Sequence, residues 1–163
     1  MLEHLHKHPD SVPLLLDFEK AYDRVSHLWL KEVLHTTGFP PLITTLILEI
    51  NSGHTRLLIN NQLSCRIPIL SGVKQGDPLS PTLFILGMQP FLTELQQHGI
   101  SSQAYADDTL ISLHQSSDMQ TLANITNRYT EASGQQLNTD KCTLLIREDD
   151  ERFPQHPYTE AAE

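Results

Sequence analysis

The chain has 163 residues, a hydrophobic share of 39% and a mean hydropathy of −0.29, which fits one compact soluble domain with a real core and excludes two. Eleven basic residues against twenty acidic ones leave a formal net charge of −9. Such a chain should repel a nucleic-acid backbone unless its basic residues cluster or metal ions intervene.

The first residues, "MLEHLHKHPD", carry neither an apolar core nor a cleavage pattern, and no apolar run is long enough to span a membrane. A polar tail is expected over 1–11. In it His4, His6 and His8 alternate, a pattern better read as a polar tail than as a metal site. "SVPLLLD" reads as a buried strand ending at Asp17. "VSHLWLKEVLHTTG" has helical spacing, with Ser26 as cap and Gly38 as stop, and "PPLITTLILEINSG" is a second helix, Pro first and Gly last. "TRLLIN" and "SCRIPIL", on either side of "NQL", predict a hairpin.

In "SGVKQGDPLSPTLFILGMQPFLTELQQHG", Ser80 is a good cap before Pro81, Leu83, Leu86, Phe91 and Leu95 form an apolar face, and Pro90 should kink the helix. "SSQAY" and "TLISL" follow as two short strands, with Leu110 and Leu113 expected to face a core. "SDMQTLANITNRYTEASG" is a long helix, Asp118 near its start and Gly134 past its end, and "KCTLLI" is a last strand. The acidic, aperiodic stretch over 148–163 is expected to be disordered. This order predicts an α+β domain over 12–147, with helices packed on one face of a largely antiparallel sheet. Cys65 and Cys142 lack metal or redox spacing, so reduced thiols are expected. An intracellular protein follows, nuclear or cytoplasmic, without a membrane partner.

Asp107 and Asp108 fall between the two short strands. An Asp pair between strands is most often a solvated turn. At a tight hairpin tip, however, the neighbouring carboxylates converge and repel unless a cation neutralises them, and hard divalent cations take oxygen ligands. The pair is then half of a metal site.

Four blocks in order, "LLLDFEKAYDRV", "SGVKQGDPLSPTLF", "AYADDTL" and "SGQQLNTDKC", resemble the palm of a reverse transcriptase, an RNA-directed DNA polymerase, most closely the non-LTR retrotransposon type. "YADD" alone is a weak signal; the four together are a strong one. The resemblance covers about residues 13 to 147 and implies two-metal nucleotidyl transfer from a dNTP to a primer 3' end. It implies Asp17, Asp107 and Asp108 as catalytic metal ligands, joined by the backbone carbonyl of Phe18. The cofactor would be two magnesium ions, with manganese as a substitute, and the partners an RNA template, a DNA primer and dNTPs.

Tyr22 stands where the family places a ring beneath the incoming sugar, a clash with a 2'-hydroxyl; alone, such an aromatic is more often core packing. Gln75 and Gly76 match the loop that lies against the nascent base pair, where Gly72 and Gly76 leave room for a nucleotide or template base. Lys74 departs from the arginine frequent there, keeping the charge without the fork. Lys141 matches a lysine proposed to protonate the departing pyrophosphate, and a charge before an edge strand is the competing reading. Glu19, Lys20 and Asp23 match the pattern without assigned chemistry.

Only 16 residues precede Asp17, so most of the fingers, and the thumb after the last strand, are expected to be missing together with their basic surface. The alternative is a non-catalytic remnant or binding module with a palm fold. A nucleotide cyclase, another two-metal palm enzyme, is a third reading, against which the Gln75 loop and the adjacent Asp pair argue.

Overall fold

The structure, a computed structural model, describes residues 11–105, 108–146 and 159–161. His4, His6, His8 and Asp107 lie outside these residues, as does most of the acidic tail.

Strand β1 (Val12–Leu16) occupies the middle of a five-stranded sheet of order β6-β7-β1-β8-β9. The flanking strands are β6 (Ser101–Tyr105), β7 (Asp108–Leu113), β8 (Thr143–Ile146) and β9 (Thr159–Ala161). β1 runs antiparallel to β7, from Val12↔Leu113 to Leu16↔Thr109, and antiparallel to β8 on its other side. β8 and β9 are parallel. For β9 the sequence predicts no element; its three residues sit in the acidic stretch, and pairing with an edge strand supplies order that local pattern does not encode.

Five helices complete the described domain: α1 (Ala21–Arg24), α2 (His27–Thr36), α3 (Pro41–Asn51), α4 (Ser80–Gln97) and α5 (Ser116–Ser133). Side chains alternate across a strand, so Val12, Leu14 and Leu16 share one face. That face joins Ile111, Leu113 and Leu144 to Leu83, Phe84, Phe91, Leu122 and Ile125 of α4 and α5 in one apolar cluster. Leu113 thus faces the core as expected. Leu110 is buried on the other face and does not belong to the cluster, because the period of two separates it from Ile111 and Leu113.

An aromatic group holds the centre. Phe91 stacks on Tyr129 (4.9 Å), and Phe18 meets both edge-on, at 6.1 and 5.9 Å. Trp29 closes the group against Tyr129, its indole N–H donating to the Gly87 carbonyl (2.9 Å). Such pairs add about 0.5–1.5 kcal/mol each beyond the area they bury.

Capping follows the sequence in part. Ser26 accepts from the Trp29 amide (3.4 Å), and Gly134 ends α5 at φ 77°. Asp118 completes a capping box with Gln115, its carboxylate accepting from the His114 and Gln115 amides. Ser80 does not cap α4: Leu79 holds that position, and the buried Ser80 hydroxyl donates to the Lys74 carbonyl (2.5 Å). Asp77 accepts from the Leu79 amide (2.8 Å), so the acid three residues earlier organises the helix start. α4 continues through Pro90.

Between α3 and α4 the chain forms two small ladders. β2 (Gly53–Thr55) pairs with β5 (Ile67–Ile69), and β3 (Leu58–Ile59) with β4 (Gln62–Leu63). The hairpin is where the sequence predicts it, but "NQL" is not its loop. Asn60 and Asn61, at φ 48° and 61°, make a two-residue turn of the kind that matches strand twist, and Gln62 and Leu63 are strand.

Candidate active site

Asp17 follows the last residue of β1, and Asp108 is the first of β7. The ladder ends at Leu16↔Thr109, so each is the next residue beyond that pair, and continuing the antiparallel register by one step sets them across from one another. Asp17 is half-buried and Asp108 exposed. Tyr105, the last residue of β6, pairs with Asp108, the first of β7. The predicted hairpin tip is therefore shared unequally: Asp108 belongs to a strand, and the placement of Asp107 is outside the described residues. Among the described residues no three His, Cys, Asp or Glu side chains gather as a metal site; Asp17 and Asp108 are the two carboxylates at this strand end.

The chain after β1 is pinned on the β8 side. The Asn138 amide donates to the Asp17 carbonyl (2.9 Å), and the Glu19 amide to the Gln136 carbonyl (2.8 Å). These bonds flank the Phe18–Leu137 bridge. That is the pattern of a non-hydrogen-bonded antiparallel pair, in which the central residues direct their own N–H and C=O away from each other. The Phe18 carbonyl is thus turned away from Leu137, toward the side of β1 on which β7 lies. The Phe18 ring is buried against Phe91 and Tyr129.

The same segment positions Lys141. The turn from Asn138 is closed by the Lys141 and Cys142 amides donating to the Asn138 carbonyl (3.0 and 3.1 Å). Lys141 itself is exposed. Cys142 lies 4.0 Å from the Asp17 carbonyl, and burial, with the Asp17 carboxylate acting in the same direction, raises its thiol pKa. It stays a neutral thiol and adds no further negative charge beside Asp17.

Tyr22, on α1, stacks face to face on Phe84 of α4 (4.6 Å, 14°) and is half-buried. The Val73 amide donates to its carbonyl (2.8 Å), which ties the "SGVKQGD" loop to the Tyr22 backbone. In that loop the two glycines differ. A Cβ on Gly72 would lie 2.8 Å from the Asp23 carbonyl oxygen, so this glycine admits the chain's own backbone, contrary to the expectation that it leaves room for a nucleotide. A Cβ on Gly76 would meet nothing within 4 Å. Gln75 is exposed, its amide nitrogen 3.5 Å from an Asp23 carboxylate oxygen. Lys74 donates to the Ile50 carbonyl at the end of α3.

Sequence reasoning did not single out Gln135, which is buried and donates to the Ala21 carbonyl (2.9 Å), nor Gln136, which accepts from Arg24. With Ser133, whose carbonyl accepts from the Ser26 amide (2.8 Å), they lace the fourth block to the first. The signal was present in "SGQQLN", a polar run too rich in amides for an ordinary helix stop.

A largely antiparallel sheet backed by helices, with carboxylates at the adjoining ends of its central strand β1 and the neighbouring β7, defines a polymerase palm. The chain belongs to the reverse transcriptase (RNA-dependent DNA polymerase) family, whose model matches residues 2–158. It is 33% identical over 141 residues to the retrovirus-related Pol polyprotein of the type-1 retrotransposable element R2 of Popillia japonica, covering 80% of this chain and 23% of that protein. It is 32% identical over 152 residues to the corresponding polyprotein of element R2DM of Drosophila melanogaster (87% and 14%). The RNA-directed DNA polymerase of the mobile element jockey, also from Drosophila melanogaster, is 28% identical over 157 residues (86% and 17%). It is a reverse transcriptase domain of the non-LTR retrotransposon type and spans less than a quarter of the length of these curated relatives.

Among solved structures, a Candida tropicalis telomerase superposes with a TM-score of 0.67 at 14% identity, over 92% of this chain and 34% of that one. A telomerase from Candida albicans, in complex with a fragment of telomeric RNA, gives 0.64 at 17% identity, over 90% and 30%. This likeness is one of fold.

Proposed function

We propose that this domain carries the nucleotidyl-transfer site of an RNA-directed DNA polymerase, with Asp17, Asp107, Asp108 and the Phe18 carbonyl as its metal ligands. The observation that supports it most is the β1–β7 register, which sets Asp17 across from Asp108 while the Phe18 carbonyl is turned to the same side. Such a set of hard oxygen donors suits magnesium or manganese. Two such ions, when bound, stabilise the attacking and leaving oxygens of an in-line displacement at phosphorus.

The chain's own residues do the rest. Tyr22, braced by Phe84 beneath it, is a rigid ring that excludes a 2'-hydroxyl and so selects dNTPs. Gln75 and Gly76 present a polar side chain and open backbone to the base pair being formed. Lys141, held in the turn that begins at Asn138 beside Asp17, donates a proton to the departing pyrophosphate. An RNA template and a DNA primer are the nucleic-acid partners.

The test is extension of a labelled DNA primer on an RNA template with dNTPs and magnesium, parent against Asp17→Asn. The parent should add nucleotides and the variant should fall to background. Equal extension by both would overturn the assignment of Asp17. Tyr22→Ala should then admit ribonucleotides that the parent rejects.

A further inference from the structure

The chain is acidic, yet its charges are segregated. Residues 53–74 hold Arg56, Arg66 and Lys74 and none of the twenty acidic residues, whereas the remainder holds eight basic residues against all twenty acids. This basic stretch is the segment that carries β2 to β5. Every residue from Gly53 to Leu63 is exposed, and so are Arg66, Leu70 and Lys74.

Its two arginines are placed together. The β2–β5 ladder pairs Thr55 with Ile67; Arg56 follows the first and Arg66 precedes the second, so both leave the ladder at the same end, on facing strands. Like charges directly opposite in a sheet destabilise it. Neither arginine side chain has a hydrogen bond or ion pair in the described structure, in contrast to Arg24 with Glu19 and Arg128 with Glu94. An anion between them would remove the repulsion, and guanidinium groups match phosphate geometry in a bidentate manner. Beyond them the Asn60-Asn61-Gln62 tip offers three amide side chains, each both donor and acceptor.

The arm is also tied to the candidate site at its root. Gly72 donates to the Val25 carbonyl and Val73 to the Tyr22 carbonyl (both 2.8 Å), and Lys74 leads into Gln75. A strand held along the arm would therefore run to the loop that faces Tyr22.

We propose that the arm over 53–70 is a clamp for the phosphodiester backbone of a nucleic-acid strand, with Arg56 and Arg66 as its paired phosphate contacts. The inference rests on the polymerase reading for the identity of the polymer. It also resolves the conflict between the net charge of −9 and such a partner, because the stretch over 53–74 carries three basic residues and none of the twenty acids.

The test measures binding of the full chain to a fluorescent 20-nucleotide RNA, and to the DNA of the same sequence, in EDTA and without nucleotides, across a salt series. Arg56→Gln/Arg66→Gln is compared with Lys31→Glu, an exposed site on α2; both change the net charge by −2, from −9 to −11. The arginine variant should bind roughly tenfold more weakly at low salt, with the slope of log K against log salt reduced by about 1.4, two contacts at about 0.7 each for a single strand. Lys31→Glu should leave that slope unchanged. RNA and DNA responding alike assigns the contacts to phosphate; loss confined to RNA assigns them to the 2'-hydroxyl edge and overturns the clamp as stated.

Equal weakening by both variants, or no binding by the parent, overturns the proposal. So does self-association in sedimentation that Leu58→Ser/Leu63→Ser abolishes while RNA binding persists, since the arm is then a protein interface. Binding is read in EDTA and without nucleotides, whereas the catalytic reading is tested by primer extension with Asp17→Asn, so failure of the catalytic reading and failure of the clamp give different results. Unchanged circular dichroism and melting temperature verify that each variant is folded.

Discussion

The floor of the domain and the arm that leaves it are built on opposite principles. In the floor, β1 and β7 are sealed by α4 and α5, and Phe18, Phe91, Tyr129 and Trp29 interlock beneath the strand ends. In the arm, two short ladders stand with Leu57, Leu58, Ile59 and Leu63 more than half exposed. Burial on that scale fixes positions to fractions of an ångström, which catalysis by cations needs; an exposed ladder fixes only connectivity. Among the described residues Asp17 and Asp108, the carboxylates of the proposed site, lie on the floor, and Arg56 and Arg66, which have no ion pair, lie on the arm.

Large-to-small substitutions should separate the two most strongly. Phe91→Ala removes a ring that is 1% exposed and touches both Phe18 and Tyr129. It should cost about 3–5 kcal/mol in urea unfolding. Leu58→Ala, at 66% exposure, should stay within about 0.5 kcal/mol. Comparable losses from both would show that the arm is packed in solution and would break the contrast.

A smaller effect tests the junction. Gly72 and Gly76 have nearly the same φ, 88° and 85°, but only Gly72 abuts the Asp23 backbone. Gly76→Ala should cost about 1–2 kcal/mol, the conformational strain alone. Gly72→Ala should cost measurably more and loosen the root of the arm, seen as faster amide exchange at Val73. Equal costs would mean that the 2.8 Å approach relaxes freely.

The least perturbing probe is the two thiols. Cys65 is exposed on the arm, and Cys142 is buried beside Asp17 with its pKa raised. At neutral pH one thiol should react with a disulfide reagent at once and the second only with unfolding. Two fast thiols would show that the segment around Cys142 opens readily.

What the sequence made legible follows the range of the interactions. β1, α2, α3, α5 and β8 carry their own periodicity and stop signals, so Ser26, Gly134 and the Asp118 box were readable locally. The three acids are proposed through the company of four motifs rather than through spacing, and only the pairing of β7 with β1 sets Asp17 across from Asp108. Non-local pairing hid the rest. Gly72 is shaped by the backbone of Asp23, 49 residues away, and Gln135 by the carbonyl of Ala21, 114 residues away. Leu110 reads like Leu113 until the pleat assigns them to opposite faces, and the bases over 53–74 share one arm only because β2 pairs with β5 and β3 with β4.

Asp17 and Asp108, set across from one another by the β1–β7 register, are proposed as ligands for cations. Without metal, two carboxylates so placed repel, so either Asp→Asn change should stabilise the fold slightly in EDTA. With metal the order should reverse, because a cation that binds only the folded parent stabilises it in proportion to the logarithm of its concentration. The decisive measurement is the urea midpoint of the parent, Asp17→Asn and Asp108→Asn in EDTA and in a manganese titration. The midpoint should climb with manganese in the parent and stay flat in both variants. An equal climb in all three would place the cation elsewhere and contradict that assignment.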